Sequence, residues 1–535
     1  MLSLLLIAST ALLGLIYAGA TIGRRRSLAD LTTGPPTIPF LGNMLQMPTT
    51  KSFLQMGEWA KKYGGLYSLK IGPGDIIVLC GRNEVKQVLD RKSSISSDRP
   101  TSVLRQELLT GGDHLLWMDA TPEWRGLRKL IHSDFTEGMC KKLHSRLQYA
   151  ESVQMLYDMS RSPGNWKRHL ERYTNSVILC IVYGIRSPTI HSKYLERFET
   201  LLGNWAAINA FGATPPVDII PALKWVPERF LGNWISRATV VHDEMRRLYD
   251  GLQEIVMQRR RRIGTTDSMI DRVLDQQDKS PLTKHQIANL AGVTIKGGSD
   301  TSAAILTSFV LAMVLHPAIQ QKAQAEIDAV TGDRIPDDSD FNRLPYVMTV
   351  IKEVQRWRPI TGIGVPHQLS EDMWVDGKRL PKGAMLLLNV WALHYDAERY
   401  PEPEKFDPDR FKGWTAFSAE YANAEPEKRD HYAYGNGRRL CPGIHLAERN
   451  LFHVVTKMLW AFNIEPTVDE RTGKEIIPDG SIETGYREGL VLCAKDFPAA
   501  LKVRSAAKQD IINSAYDIAC RDVFSKYDDT DLTTI

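Results

Sequence analysis

Residues Tyr434–Gly443 read Tyr-Gly-Asn-Gly-Arg-Arg-Leu-Cys-Pro-Gly, and the reading of this run decides how the rest of the chain is interpreted. Cys441 follows a glycine-rich turn and precedes Pro442. Proline suits the first position of a helix, where its missing N–H would have had no partner. The run therefore predicts Cys441 as the N-cap of a helix. Its apolar face would be Ala447, Leu451, Val455, Met458 and Phe462, spaced by three or four residues. At the positive end of a helix dipole a thiol is drawn toward thiolate, and a thiolate ligates a soft metal. Backbone N–H groups after Cys441 could donate to the sulfur and tune the bound metal. Gly437 and Gly443 allow the backbone to turn and to approach a flat ligand closely. Arg439 would lie beside that ligand, suited to pairing with a carboxylate.

The 535 residues are 43% hydrophobic and 24% charged, as expected of a globular protein with a large core. A net charge of +4 is too small for this length to suggest nucleic-acid binding. The six cysteines (Cys80, Cys140, Cys180, Cys441, Cys493 and Cys520) are scattered without a CxxC pair, which argues against a disulfide framework or a zinc site and suits a reducing compartment. No phosphate-binding glycine motif follows a strand-like run, so electrons for any redox chemistry must come from another protein.

Residues 1–23 are uncharged and leucine-rich, long enough as a helix to cross a bilayer core of ~30 Å. Arg24, Arg25 and Arg26 follow directly, which by the positive-inside rule places the remainder in the cytosol. Ala18-Gly19-Ala20 resembles a signal-peptide cleavage site, but no basic residue precedes the apolar run, so a retained anchor is expected. Residues 24–45 read as a basic, proline-rich linker (Gly34-Pro35-Pro36-Thr37-Ile38-Pro39). Residues 46–505 would be one catalytic domain, and 506–535 an appended tail. Leu66–Ile71 and Ile76–Leu79 flank a Gly-Pro-Gly turn and predict a strand pair. Residues 101–116 predict an irregular loop, and 140–280 several amphipathic helices, with Arg259–Arg262 a solvated helix end.

Thr283 and Gln286 form a capping box that opens a long helix running to His316-Pro317. At its centre, Gly297-Gly298-Ser299-Asp300-Thr301-Ser302 places two glycines at a cost of ~1 kcal/mol each, which implies close packing or a ligand against the backbone. Lys296, four residues before Asp300, predicts a local ion pair that would tune the acid. Trp124 and Arg128 share one helical face, as do Glu353 and Arg356 ahead of Pro359. Downstream stand Ile363-Gly364-Val365-Pro366-His367, a kinked strand, and Phe406-Asp407-Pro408-Asp409-Arg410-Phe411. Tyr486–Leu490 predicts a turn returning toward the pocket.

Taken in this order, the motifs resemble those of the cytochromes P-450, with Tyr434 in place of the usual phenylalanine. The resemblance covers nearly the whole chain. It implies a mainly α fold with small β-sheets, here preceded by a single N-terminal transmembrane helix. It also implies haem b (iron protoporphyrin IX) held by Cys441 as the axial iron ligand. Trp124, Arg128, His367 and Arg439 would then neutralise the propionates, with Tyr434, Gly437 and Gly443 shaping the haem loop. Asp300 and Thr301 would deliver protons to bound dioxygen, and Glu353, Arg356 and Arg410 would form a buried structural cluster behind the haem. The implied activity is monooxygenation of a lipophilic small molecule. Electrons would come from NADPH through a cytochrome P-450 reductase, with cytochrome b5 as a second donor. The reductase would dock on a basic cysteine-side face at Arg125, Lys129 and Arg438. The implied location is the endoplasmic reticulum membrane, single-pass, with the catalytic domain cytosolic. The proline hinge, Trp391-Ala392-Leu393-His394 and the helix after Cys441 are most similar to fungal microsomal members of secondary metabolism. The rival readings are a haem-thiolate isomerase or dehydratase and a non-catalytic haem- or sterol-binding membrane protein; a proton-delivery pair has no use in either.

Overall fold

The computed structural model describes residues 33–527 apart from 40, 73, 211, 279, 280 and 490. The apolar segment 1–23, the arginines that follow it and residues 528–535 lie outside the described residues. Strand β1 (Leu66–Ile71) pairs antiparallel with β2 (Gly74–Leu79), Leu66 opposite Leu79 and Ile71 opposite Gly74. Helix α1 (Pro122–Asp134) opens with Thr121, whose side chain accepts from Trp124 N, and has Pro122 in its first turn. Helices α2 (Ser145–Arg161), α3 (Trp166–Tyr183), α4 (Lys193–Asn209) and α5 (Trp234–Ile263) follow. Helix α6 (Lys284–Leu315) starts at the Thr283–Gln286 capping box, both halves of which form, and ends at His316. Helices α7 (Pro317–Thr331) and α8 (Pro345–Trp357) each have proline in the first turn.

Strands β3 (His367–Gln368) and β4 (Met385–Leu388) complete a four-stranded sheet of order β1-β2-β4-β3, in which β4 runs parallel to β2 and antiparallel to β3. Helix α9 (Ile444–Ala461) leads into β5 (Phe462–Glu465), which pairs antiparallel with β6 (Ala500–Val503). A final helix, α10 (Ala506–Asp522), packs on α2. The architecture is thus mainly helical with small sheets.

One continuous apolar core runs through α2, α3, α6, α8 and α9. Helix α6 is long and apolar enough to cross a membrane, yet most of its side chains are buried inside the protein, where each large apolar one contributes roughly 1.5–3 kcal/mol. Gly298 explains how closely α6 approaches α3: a Cβ there would lie 2.6 Å from Ile178 Cγ1.

Two expectations are corrected, and two further segments gain a defined structure. Residues 103–109 form a wide-turned helix rather than a loop, because the Ser102 side chain accepts from Arg105 N and caps it. Arg259 is buried, donating to Asp271 Oδ2 at 2.7 Å, and Arg260 to Asp271 Oδ1 at 3.0 Å, so half of the four-arginine run is an ion-pair anchor. The described part of the proline-rich segment is docked: Asn43 N donates to Lys70 O and Asn43 Nδ2 to Pro35 O, laying the segment along β1. Residues 506–522, expected as a tail, are helical because Ser505 caps the first turn and Ile512 and Ala519 bury against α2. Tyr516 stacks on Tyr157 there, ring centroids 3.9 Å apart.

Candidate active site

The cysteine loop is shaped by its glycines and tied down from outside. Gly435 and Gly437 have φ of +76° and +52°, a region that favours glycine, and Leu89 O lies where a Gly437 side chain would be. Gly437 is therefore needed for packing of the loop on residues 86–91. Asp90 Oδ1 accepts from Gly437 N at 3.0 Å and Asn436 Nδ2 at 3.2 Å, and Arg429 Nη2 donates to Gly435 O at 2.5 Å. Within the loop, Cys441 N donates to Tyr434 O at 2.9 Å.

Cys441 is not the N-cap. Helix α9 begins at Ile444 with Gly443 as its N-cap, and Phe462 already belongs to β5. Pro442 and Gly443 instead form a turn that directs the Gly443 N–H at the Cys441 sulfur. Burial pushes the thiol up, while that N–H and the Arg128 charge pull it down. Net, the thiol is raised. A Cβ on Gly443 would meet nothing within 4 Å, which leaves open space beside the sulfur. Tyr434 packs its ring 5.8 Å from that of His431; its hydroxyl is buried, and burial, then the nearby Glu448 and Cys441, raise the phenol well above its ordinary range.

A cluster of donors lies beside the loop. Arg439 donates to Ser97 O (2.8 Å), Leu115 O (3.3 Å) and Met118 O (2.5 Å), with its guanidinium 4.1 Å from the Trp124 ring centroid. Trp124 Nε1 donates to Leu115 O at 3.1 Å, and Arg128 Nη2 to Leu440 O. His367 shares a hydrogen bond from Nδ1 with Ser96 O at 2.8 Å. The sequence reading missed Arg99, which is buried and donates to Leu116, Val365 and Pro366 carbonyls.

Burial, then Arg439 and Arg128, lower the Arg99 guanidinium well below its usual value; burial, then Arg128, bring Arg439 down to about 10. Three guanidiniums crowded onto carbonyls, without an ion pair to a carboxylate among the described residues, call for an external anion. With a sulfur ligand at Cys441 and open space at Gly443, the donor set fits the haem that the motifs imply.

On the opposite side, α6 presents Gly297, which is exposed and has nothing within 4 Å of a Cβ position. Thr301 Oγ1 donates to Gly297 O at 2.7 Å, and Asn175 Nδ2 donates to Ser299 Oγ at 3.3 Å. Burial raises the Asp300 carboxyl, and Lys296 partly offsets this. The expected Lys296–Asp300 ion pair does not form: the ammonium instead lies 3.7 Å from the Trp205 ring centroid, because the α4 aromatic face approaches α6 at that turn. The hairpin Tyr486–Arg487/Cys493–Ala494 closes this side, with Tyr486 OH bonded to Ser308 Oγ at 3.0 Å.

Behind the loop, Glu353 is fully buried and accepts from Arg356 Nε (2.7 Å) and Nη2 (2.8 Å), with Arg410 Nε at 3.6 Å. Arg356 Nη1 also reaches His394 O and Pro403 O, knitting α8 to the 394–410 segment. A second buried pair, Lys352–Asp430 at 2.7 Å, joins α8 to the start of the cysteine loop. Neither Asp90, Arg99, Arg429 nor Asp430 carried a local signal; each lies far in sequence from, or outside, any motif.

The family model described as Cytochrome P450 matches residues 33–481. Relatives include the cytochrome P450 monooxygenases macC of Penicillium terrestre (41% identical, covering 98% of this chain and 99% of that one) and yanC of Aspergillus niger (43%, 96% and 97%). Another is patI of Aspergillus clavatus (44%, 93% of each). Among solved structures, a zebra fish cytochrome P450 with progesterone superposes with a TM-score of 0.68 at 25% identity, covering 84% of this chain and 99% of that one. With Cys441, its arginine cluster and the α6 opening in these positions, the chain belongs to the cytochrome P450 family, among its monooxygenases.

Proposed function

We propose that this protein hydroxylates or otherwise oxidises a lipophilic small molecule in fungal secondary metabolism, at the endoplasmic reticulum membrane, with electrons relayed from NADPH by a cytochrome P-450 reductase. The observation that carries the reading is the Cys441 sulfur, met by the Gly443 N–H and flanked by Arg128, Arg439 and Arg99. A haem held by Cys441 would supply dioxygen activation, a chemistry that thiolate ligation favours. Cys441 and Gly443 would hold that group at its metal, while Arg439, Arg128, Arg99, Trp124 and His367 would take its carboxylates.

Asp300 and Thr301 then handle protons. The raised Asp300 carboxyl retains a proton more readily than an exposed aspartate does. Because Thr301 spends its own proton on Gly297 O, its oxygen is left as an acceptor facing the opening. Phe198, Leu201, Leu202 and Met245 line an apolar chamber on this side, which supports a lipophilic substrate. The intact Asp300–Thr301 pair disfavours an isomerase or dehydratase.

Arg125, Lys129 and Arg438 are exposed and make no ion pair among the described residues, which favours the cysteine side as the docking face for the reductase and for cytochrome b5. Membrane association is supported by exposed Trp225, Phe230, Ile220, Leu45 and Ile38. The two stretches are linked, since Ile219 packs at Gly72 and Gly72 N donates to Leu41 O. An anchor at residues 1–23 would hold that face at the bilayer. The test is the carbon monoxide difference spectrum of the reduced protein beside Cys441→Ser, followed by NADPH- and reductase-dependent product formation. A strongly red-shifted band lost in the variant supports the reading; haem-loaded wild type without that band removes it.

A further inference from the structure

The chamber beside α6 contains polar groups that the oxidation machinery does not use. His114, Phe198, Leu201, Leu202, Trp205, Met245, Tyr249 and Lys296 line it, so its walls are aromatic and aliphatic and come from α4, α5, α6 and the 114 turn. Among the described residues Lys296 makes no ion pair and no hydrogen bond; its ammonium lies 3.7 Å from the Trp205 ring centroid and feels the Asp300 charge one turn along the helix. Trp205 and His114 stack with centroids 6.0 Å apart, and both are almost fully buried. The Trp205 Nε1 and the His114 Nδ1 have no hydrogen-bond partner among the described residues. Three nitrogens thus line one chamber without an oxygen partner among the described residues.

A half-buried ammonium without an anion gives up part of its hydration, which a single cation–π contact offsets by about 2 kcal/mol at most. Such a cluster is hard to explain as packing, since methionine or leucine at 296 would fill the same space without the desolvation cost. Burial also lowers the Lys296 ammonium well below the ordinary lysine range, and it holds His114 neutral at about 3, leaving the imidazole free to donate or accept. An acidic oxygen brought by a ligand would relieve all three groups: it would restore the ammonium and receive hydrogen bonds from Nζ, with the indole and imidazole nitrogens in reach.

We propose that Lys296, with His114 and Trp205, forms an anion-anchoring subsite, so that the substrate is an apolar, aromatic-bodied molecule bearing a carboxylate or similarly acidic oxygen. Lys296 and Asp300 lie four residues apart on one face of α6, about 6 Å along the axis. The anchored oxygen therefore sits one turn from the Asp300–Thr301 opening. The rest of the molecule extends toward that opening, which places oxidation away from the acidic group. This rests on the monooxygenase reading and names its substrate class.

The test uses the full-length, haem-loaded protein with para-toluate and its methyl ester as probes, read by equilibrium titration of tryptophan fluorescence and of the substrate-induced Soret shift. Wild type is expected to bind the acid at least about tenfold more tightly than the ester. Lys296→Met and Lys296→Gln are each expected to lose about 10- to 100-fold for the acid and little for the ester, the range for one charge-assisted hydrogen bond. The carbon monoxide band of each variant reports intact folding and thiolate ligation. Equal binding of acid and ester by wild type, or acid affinity unmoved in both variants that retain the band, overturns the subsite alone. Absence of the band in wild type overturns the monooxygenase reading and this inference with it.

Discussion

On the cysteine side of the site, the charged groups that hold the loop find partners within the protein, Asp90 with Gly437 and Asn436, Lys352 with Asp430, Glu353 with Arg356 and Arg410, while the Tyr434 hydroxyl and Asn436 Oδ1 have none among the described residues. On the α6 side, Lys296, His114 and Trp205 keep unpartnered nitrogens, and Thr301 turns a lone pair toward open space. A metal ligand must be held in one place through every turnover, so satisfied and redundant contacts suit it. A chamber that has to accept, orient and release a changing molecule is better served by groups whose partner arrives with the ligand. The contrast shows where this fold spends rigidity and where it leaves capacity for recognition.

The comparison is broken most severely at Glu353. Glu353→Gln leaves two buried guanidiniums facing a neutral amide, and removing one member of a buried pair costs about 3–5 kcal/mol. The denaturation midpoint should fall accordingly and haem should be retained poorly; a variant as stable as wild type would show that the cysteine side is not held by this cluster.

The next effect is on the other side and should leave stability alone. Asp300→Asn is expected to lower reductase-supported product formation by about 100-fold or more while keeping the red-shifted carbon monoxide band. Because the wild-type carboxyl is raised, its protonated fraction persists above the ordinary aspartate range and is lost as pH rises through the shifted value. Turnover should therefore fall along that limb in wild type, and the limb should vanish in Asp300→Asn. A limb that survives in the variant assigns it to another group.

Gly437→Ala probes loop placement with no change of charge. A Cβ would meet Leu89 O, and alanine at φ +52° is strained, so a loss of about 1–3 kcal/mol is expected, seen as faster haem release from the reduced protein. Unchanged release would mean that residues 86–91 yield, and that the loop is less tightly mounted than the contacts indicate. The smallest effect lies far from both sides. Tyr516→Ala removes the stack on Tyr157 and should cost roughly 0.5–1.5 kcal/mol beyond lost area, with the carbon monoxide band and turnover intact. A loss of turnover there would join α10 to the site and blur the contrast.

Much of this was legible in linear order because it rests on local physics. The Thr283–Gln286 box opens α6 where the side chains predict it, since a capping box closes within four residues. The strand pair around Gly72 is equally local: two short apolar runs joined by a tight turn need no distant partner. The ten residues to Gly443 announce a cysteine loop because glycine, proline and cysteine restrict the backbone wherever they stand. Local rules misplaced the start of α9, however. Pro442 is acceptable in a first turn, but it is also acceptable in the turn ahead of one, and the Gly443 N–H aimed at the sulfur belongs to the second arrangement.

What the sequence by itself determined, then, is the order of elements, the haem-ligand candidate and the class of chemistry. Tertiary structure alone decided which distant groups meet: Asp90 with Gly437, Arg99 with Arg439, and Lys296 with Trp205 rather than with the Asp300 one turn away. The physical reason is range. Caps, turns and helical faces are settled within a few residues, whereas the partner of a buried charge is settled by whichever element the folded core presses against it, and no spacing along the chain encodes that choice.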